Sequence, residues 1–118
     1  MERQSVIENL GIKFALRIVK LHKYLNQDKC EFVMAKQIYR SGTSIGANIA
    51  ESKAAQSDAD FVSKMSIALK EAYETRYWLT LLHESETIDD AEYDSIDNDA
   101  KVIVGTLTNI IKKRKGLD

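Results

Sequence analysis

Each of the two histidines in the chain follows an arginine at short range. RYWLTLLH sets Arg76 and His83 with six residues between them, and RIVKLH sets Arg17 and His22 with four. A histidine able to carry a proton, near a fixed positive charge, could cleave a phosphodiester without a metal. Such spacings also arise readily by composition alone. Tyr77 and Ile18, neither of them charged, directly follow the two arginines. His83 stands near a helix end, where a cation offsets the negative terminus, and His22 flanks an apolar stripe. The reading is no catalytic residue and no enzyme.

A second polar set lies upstream. Arg40, Ser44, Asn48 and Glu51 are spaced by four, four and three residues, which makes a stripe along one helix. Such a stripe is either a ligand groove or a hydrogen-bond network that fixes helix register. The second is favoured, because polar groups in a packed protein are normally paired. If the chain reverses near Gln56, Arg40 comes level with Ala72, which makes Glu71 and Glu74 its partners. No small-molecule substrate and no cofactor are expected.

Charge runs come next. Eight acids and no Lys or Arg fill Glu84 to Asp99. DNDAKVIVG lacks the glycine and late glutamate of a calcium loop, so the run reads as a turn and an acidic helix start, with no metal. Lys112, Lys113, Arg114 and Lys115 balance it at the far end, where cations suit a helix C-terminus. They are also the candidate contact for nucleic acid.

RSGTSIGANIAES, residues 40–52, has the composition of a loop. Yet Ile38, Ile45 and Ile49 run through it at helical spacing. A phosphate-binding loop needs a preceding strand and a Gly-Lys-Ser/Thr ending, and neither is present. Gly42 and Gly46 are four apart and remove bulk from one turn, so another backbone can come close. Two glycines inside a helix cost about 1 kcal/mol each relative to alanine. A close contact at Gly42 or Gly46 is the reason to keep them.

These residues must be positioned by helices. Apolar residues recur three and four apart in four blocks. They are Phe14, Ile18, Leu21 and Leu25, after Ile7 and Leu10; Ala35, Ile38, Gly42, Ile45 and Ile49; Phe61, Met65, Ala68, Ala72, Thr75, Leu79 and Leu82; and Tyr93, Ile96, Ala100, Ile103, Leu107 and Ile110. No block alternates with period two. The breaks offer caps: Asp28 with Glu31, Ser57 with Asp60, and Asp89 with Glu92. Proline is absent, as uninterrupted helices require. Short connections make neighbours antiparallel. The expected architecture is all-α: one up-down-up-down four-helix bundle domain over residues 1–118.

Net charge is −1, with nine Lys/Arg against five Asp/Glu in residues 1–55 and eight against thirteen in 56–118. A pI near 6.1 gives little general attraction to nucleic acid. The single cysteine, Cys30, excludes an internal disulfide and suits a reducing compartment. No apolar run approaches the roughly 20 residues of a membrane span, and MERQSVIENLG has no apolar signal core. A cytoplasmic protein that does not touch a membrane is expected.

Tyr73, Tyr77 and Trp78 cluster on the third helix. Val62, Leu69, Tyr73 and Tyr77 lie beside its core stripe, and Ala15 and Val19 widen the stripe of the first helix. A second apolar surface usually meets a partner, so Tyr73, Tyr77 and Trp78 are the candidate oligomer interface.

RSGTSIGANIAES followed by DFVSKMSIALKEAYETRYWLTLL resembles the four-helix-bundle family of 23S rRNA intervening-sequence proteins. Arg40, Ser41, Ser44, Asn48, Ile49, Ala50 and Glu51 match the family pattern R-S-x-x-S-x-x-x-N-I-A-E. Many relatives have proline where Gly46 stands and glycine where Ser52 stands, which implies a straighter second helix here. The resemblance implies a bacterial cytoplasmic bundle that forms a homopentamer. It leaves the molecular role open. The reading is a non-enzymatic, self-assembling interaction scaffold. A related branch, the accessory protein of diversity-generating retroelements, implies the alternative of binding RNA, DNA or a reverse transcriptase. The Arg–His spacings resemble those of HEPN ribonucleases and give a third.

Overall fold

The computed structural model describes residues 3–117, so the ends of the expected 1–118 domain lie outside the described residues. Four helices follow one another: α1 Arg3–Gln27, α2 Val33–Ser52, α3 Asp58–Glu84 and α4 Asp90–Lys115. Each packs on the helix before and after it, and α4 returns to α1 along the thinnest of the four seams. The bonds Arg40–Glu74 and Lys64–Glu51 join α2 to α3 in opposite sense, and Arg76–Asp97 and His83–Asp90 do the same for α3 and α4. The result is an antiparallel up-down-up-down bundle with extents of 44 × 24 × 23 Å.

The spacing of apolar residues explains the core. The stripes of α2 and α3 are buried along their whole length, and those of α1 and α4 are buried except at Leu10 and Tyr93, which pack against the core edge. Fully burying one such side chain contributes about 1.5–3 kcal/mol, so the shared stripe outweighs the cost of glycines inside α2. Ile88, in the α3–α4 turn, closes one end of the core.

Two of the three expected caps are in place. Ser57 Oγ accepts from the Asp60 amide at 3.1 Å, and Asp89 Oδ1 accepts from the Glu92 amide at 2.8 Å. The Asp28 cap is corrected. The chain first reverses through Cys30, at φ 52°, and α2 begins only at Val33. Phe32 takes the cap position without a side-chain bond, and the Glu31 carboxylate accepts from the Met34 amide at 2.8 Å instead. The α3 end also uses a left-handed residue, Glu86 at φ 63°. Its neighbour Thr87 donates back to the Leu82 carbonyl at 2.9 Å, which closes the last turn.

Residues 40–52 are helical throughout, inside α2. Gly42 lies under the Ile18 side chain: a β-carbon there would stand 2.6 Å from Ile18 Cγ1. Gly46 faces Gly11 of α1, a residue the sequence reading did not single out. The two glycines let the α1 and α2 backbones meet without side chains between them.

Candidate functional site

The polar stripe of α2 lies along the α2–α3 seam and divides into two kinds of contact. Its ends cross to α3. The Arg40 guanidinium donates to Glu71 at 3.2 Å and also pairs with Glu74, and Lys64 donates to Glu51 at 2.8 Å. Its middle does not cross. Ser44 Oγ donates to the Arg40 carbonyl at 2.6 Å and Asn48 Nδ2 to the Ser44 carbonyl at 2.9 Å, both within α2. The expected inter-helix network is therefore corrected for Ser44 and Asn48, which sit within reach of their own preceding turn. The buried polar link between the helices is Ser41 to Thr75, whose hydroxyl oxygens are 2.9 Å apart with neither residue exposed. The sequence held the signal: Thr75 interrupts an apolar stripe and Ser41 precedes Gly42.

Glu74 joins two groups, Arg40 and Trp78. The Trp78 indole N–H donates to it at 3.0 Å, and this bond, with Arg40, holds its carboxyl below the usual carboxylate range. The Glu74 hydrogen bond raises the Arg40 guanidinium in turn. Trp78 is thereby fixed in the α2–α3 seam and half-buried, unlike Tyr73 and Tyr77.

The structure places the arginines and histidines in separate arrangements. Arg76 Nε and Nη2 donate to the two oxygens of Asp97, at 2.9 and 3.3 Å. Asp97 is 3% exposed, so its charge is buried against that guanidinium. His83 Nε2 lies 2.6 Å from Asp90 and Nδ1 lies 3.3 Å from Glu84, with the ring stacked on Tyr93. The Asp90 bond raises His83 above the usual imidazole range. Arg17 pairs with Asp99 at 2.8 Å and Glu92 at 3.5 Å across the α1–α4 seam. His22 bonds Asn26 at 3.2 Å and packs against the Tyr39 ring. Among the described residues no hydrogen bond joins an arginine to a histidine. Both arginines serve as ties between helices.

Much of the acidic run is engaged by the same contacts, while Glu86 and Asp94 stand exposed. Asp89 caps α4, Asp90 pairs with His83, Asp97 with Arg76, and Glu92 and Asp99 with Arg17. Among the described residues no group of three His, Cys, Asp or Glu is arranged to hold a metal ion. At the other end of α4, Lys112, Lys113, Arg114 and Lys115 are all exposed. Arg114 reaches Asp58 at 3.1 Å and lies 3.7 Å over the Phe61 ring, which ties the end of α4 to the start of α3. Gly116, at φ 72°, ends the helix with amides returned to Lys112 and Lys113.

The outer surface carries apolar groups on two helices. Tyr73 and Tyr77 on α3 are 53% and 56% exposed. On α1 the sequence reading is corrected: Ala15 and Val19 are half-buried, while Ile12 and Leu16, at 59% and 58% exposed, face outward. The close approach at Gly11 and Gly46 draws α2 against the side of α1 that carries Ala15, which leaves Ile12 and Leu16 outside. No helix among the described residues is long and apolar enough to cross a membrane.

These features define a class: an antiparallel four-helix bundle with a complete core, polar seams tied by ion pairs, and apolar side chains left on the outside. Residues 3–109 match the 23S rRNA-intervening sequence protein family, and the chain belongs to that family. It is also similar to a crystal structure of a protein with unknown function from the S23 ribosomal protein family of Bacteroides thetaiotaomicron. That similarity is 53% identity, with a TM-score of 0.93, over 94% of this chain and 99% of that one. No curated protein matches.

Proposed function

We propose that the chain acts without chemistry of its own, as a bundle that assembles with copies of itself into an interaction scaffold in the cytoplasm. The observation that carries this reading is Tyr73 and Tyr77. Both stand exposed on α3, although the core beneath them is complete. Large aromatics of this kind contribute most when a partner covers them. The family resemblance supports another copy as the partner and a closed pentamer as the form. The engagement of Arg17 and Arg76 with carboxylates supports a structural role for the Arg–His segments over a nuclease role.

Light scattering coupled to size exclusion tests the assembly. The expected mass is a multiple of 13.4 kDa, falling toward the single-chain value for Tyr77→Glu, which places a charge where burial is costly. A wild-type chain that stays single at micromolar concentration overturns the reading.

A second reading has its own observation. Lys112, Lys113 and Lys115 are exposed together on the last turn of α4 and have no ion-pair partner among the described residues. Gathered on one rim of a ring, these ends would present several cations to a nucleic-acid backbone.

A further inference from the structure

The α2 helix begins on a residue that serves neither capping nor burial. Phe32 holds the cap position, where Ser, Thr, Asp or Asn is favoured, yet it makes no side-chain bond and is 61% exposed. Lys36 and Tyr39 follow four and seven residues on, both exposed, so the three share one side of α2. The two aromatic residues are about 10 Å apart along the helix axis at 1.5 Å per residue. His22 of α1 lays its ring beside that of Tyr39, with centroids 4.6 Å apart, and is held there by Asn26. The core is complete without Phe32 or Tyr39.

Along this face the unpaired charges are cationic. Between Glu8 and Asp28 α1 carries no acid, and between Glu31 and Glu51 α2 carries none. Lys20, Lys23 and Lys36 are exposed, and among the described residues the lysines in ion pairs are Lys53, Lys64 and Lys101. Arg40 is engaged by Glu71 and Glu74, and Arg17 by Glu92 and Asp99. In the α1–α2 loop the Glu31 carboxylate is taken by the Met34 amide, and Asp28 is exposed. The acidic α3–α4 turn lies at the same end of the bundle, but it borders Tyr24 and Lys29, on the α4 side of α1.

We propose that the α1–α2 face binds single-stranded nucleic acid, with bases stacked on Phe32 and on the Tyr39–His22 pair and phosphates held by Lys20, Lys23 and Lys36. Rings beside a cationic track are what a single strand needs: the rings cover base faces and the lysines follow the backbone. A duplex hides its base faces and offers these rings nothing. The phosphate and the base face are common to RNA and DNA, so the site takes either. An anionic lipid surface would accept Phe32 and Val33, but it would strip water from His22 and Asn26 beside Tyr39, whereas base edges can bond to both. The site does not depend on self-assembly. It is also separate from Lys112–Lys115, which lie at the other end of the bundle, where Arg114 meets Asp58 at the start of α3.

The test is fluorescence anisotropy of labelled oligouridylate and oligothymidylate, each about 12 nucleotides long, within the span of one single-strand module, titrated with the full chain at low salt. Both should bind, with log affinity falling against log salt at a slope of about −2 for three phosphate contacts. Phe32→Ala and Tyr39→Ala should each weaken binding by about tenfold with no change of charge, and Phe32→Trp should keep it. Lys23→Glu with Lys36→Glu should abolish it, while alanine at Lys112, Lys113, Arg114 and Lys115 should leave it unchanged. Thermal melts confirm that each variant folds, and the exposure of Phe32 makes its replacements harmless to the core. A wild type that binds neither oligonucleotide overturns the site and leaves self-assembly standing. Binding that ignores Phe32→Ala and Tyr39→Ala but falls with the lysines is bare attraction of a polyanion and overturns it too. So does a duplex of the same length binding as tightly as the single strand, or binding lost with the α4 alanines. A chain that binds no oligonucleotide but sediments with phosphatidylserine vesicles, and stops doing so with Phe32→Ala, gives the face to a lipid surface instead.

Discussion

Gly11 of α1 and Gly46 of α2 meet backbone to backbone: a β-carbon on Gly11 would lie 3.2 Å from Gly46 Cα, and one on Gly46 would lie 3.2 Å from the Gly11 carbonyl oxygen. One turn earlier on α2, Gly42 makes room for Ile18. The helix spacing on this side of the bundle is set by residues with no side chain. Gly42→Leu should therefore lower stability by about 1–3 kcal/mol through overpacking. Gly105, also within a helix, has nothing within 4 Å of its β position, so Gly105→Ala should raise stability by about 0.5–1 kcal/mol. Urea midpoints of the two variants against wild type should move in opposite directions.

Arg76 neutralises a buried carboxylate. With Asp97 at 3% exposure, removing the guanidinium strands a charge, and only Lys101, at 3.9 Å, remains nearby. Arg76→Ala should cost about 2–3 kcal/mol, less than a fully buried pair because the arginine is itself partly exposed. Arg76→Ala with Asp97→Ala should cost less than Arg76→Ala alone. A double-mutant cycle in denaturant measures this.

His83 makes stability depend on pH. Its folded pKa is raised, first by the hydrogen bond to Asp90 and then by the charges of Asp90, Glu84 and Asp94, against an ordinary value of 6.5. A raised pKa means that the contribution is full below the unfolded pKa and lost as pH rises through the folded one. The wild-type advantage over His83→Gln should thus be largest near pH 6 and shrink above neutrality. Denaturation midpoints of both proteins across that range check the sign.

Neither histidine is expected to cleave RNA. His22 is held by Asn26 and Tyr39, His83 by Asp90, Glu84 and Tyr93. His22→Ala and His83→Ala should leave any RNA-processing readout unchanged. Metal-independent cleavage by the pure protein, abolished by either substitution, would show a nuclease.

Affinity of the basic α4 end for nucleic acid should be weak and steeply dependent on salt. Titration of labelled RNA and duplex DNA at low and physiological salt reads it directly. Tight binding that survives physiological salt, and is lost when Lys112, Lys113, Arg114 and Lys115 become alanine, would favour the second reading of function.

The sequence by itself determined the four helices and their buried stripes, because burial in a bundle repeats with the helical period and leaves that period in the chain. Ser57 and Asp89 were legible as caps because a cap acts within three residues. The Arg40 partners followed from antiparallel geometry alone, once the position of the turn was taken near Gln56. What depended on a neighbour's exact position was decided by tertiary structure. Gly11 gained its meaning only from Gly46, and Asp97 only from Arg76, residues far apart in the chain. Ile12 and Leu16 resemble core residues in composition. They stand outside because the close α1–α2 crossing turns α1 so that Ala15 faces α2 and Ile12 faces solvent. A side chain's type fixes what burial it would gain, but only the packing of whole helices fixes which side of each is covered.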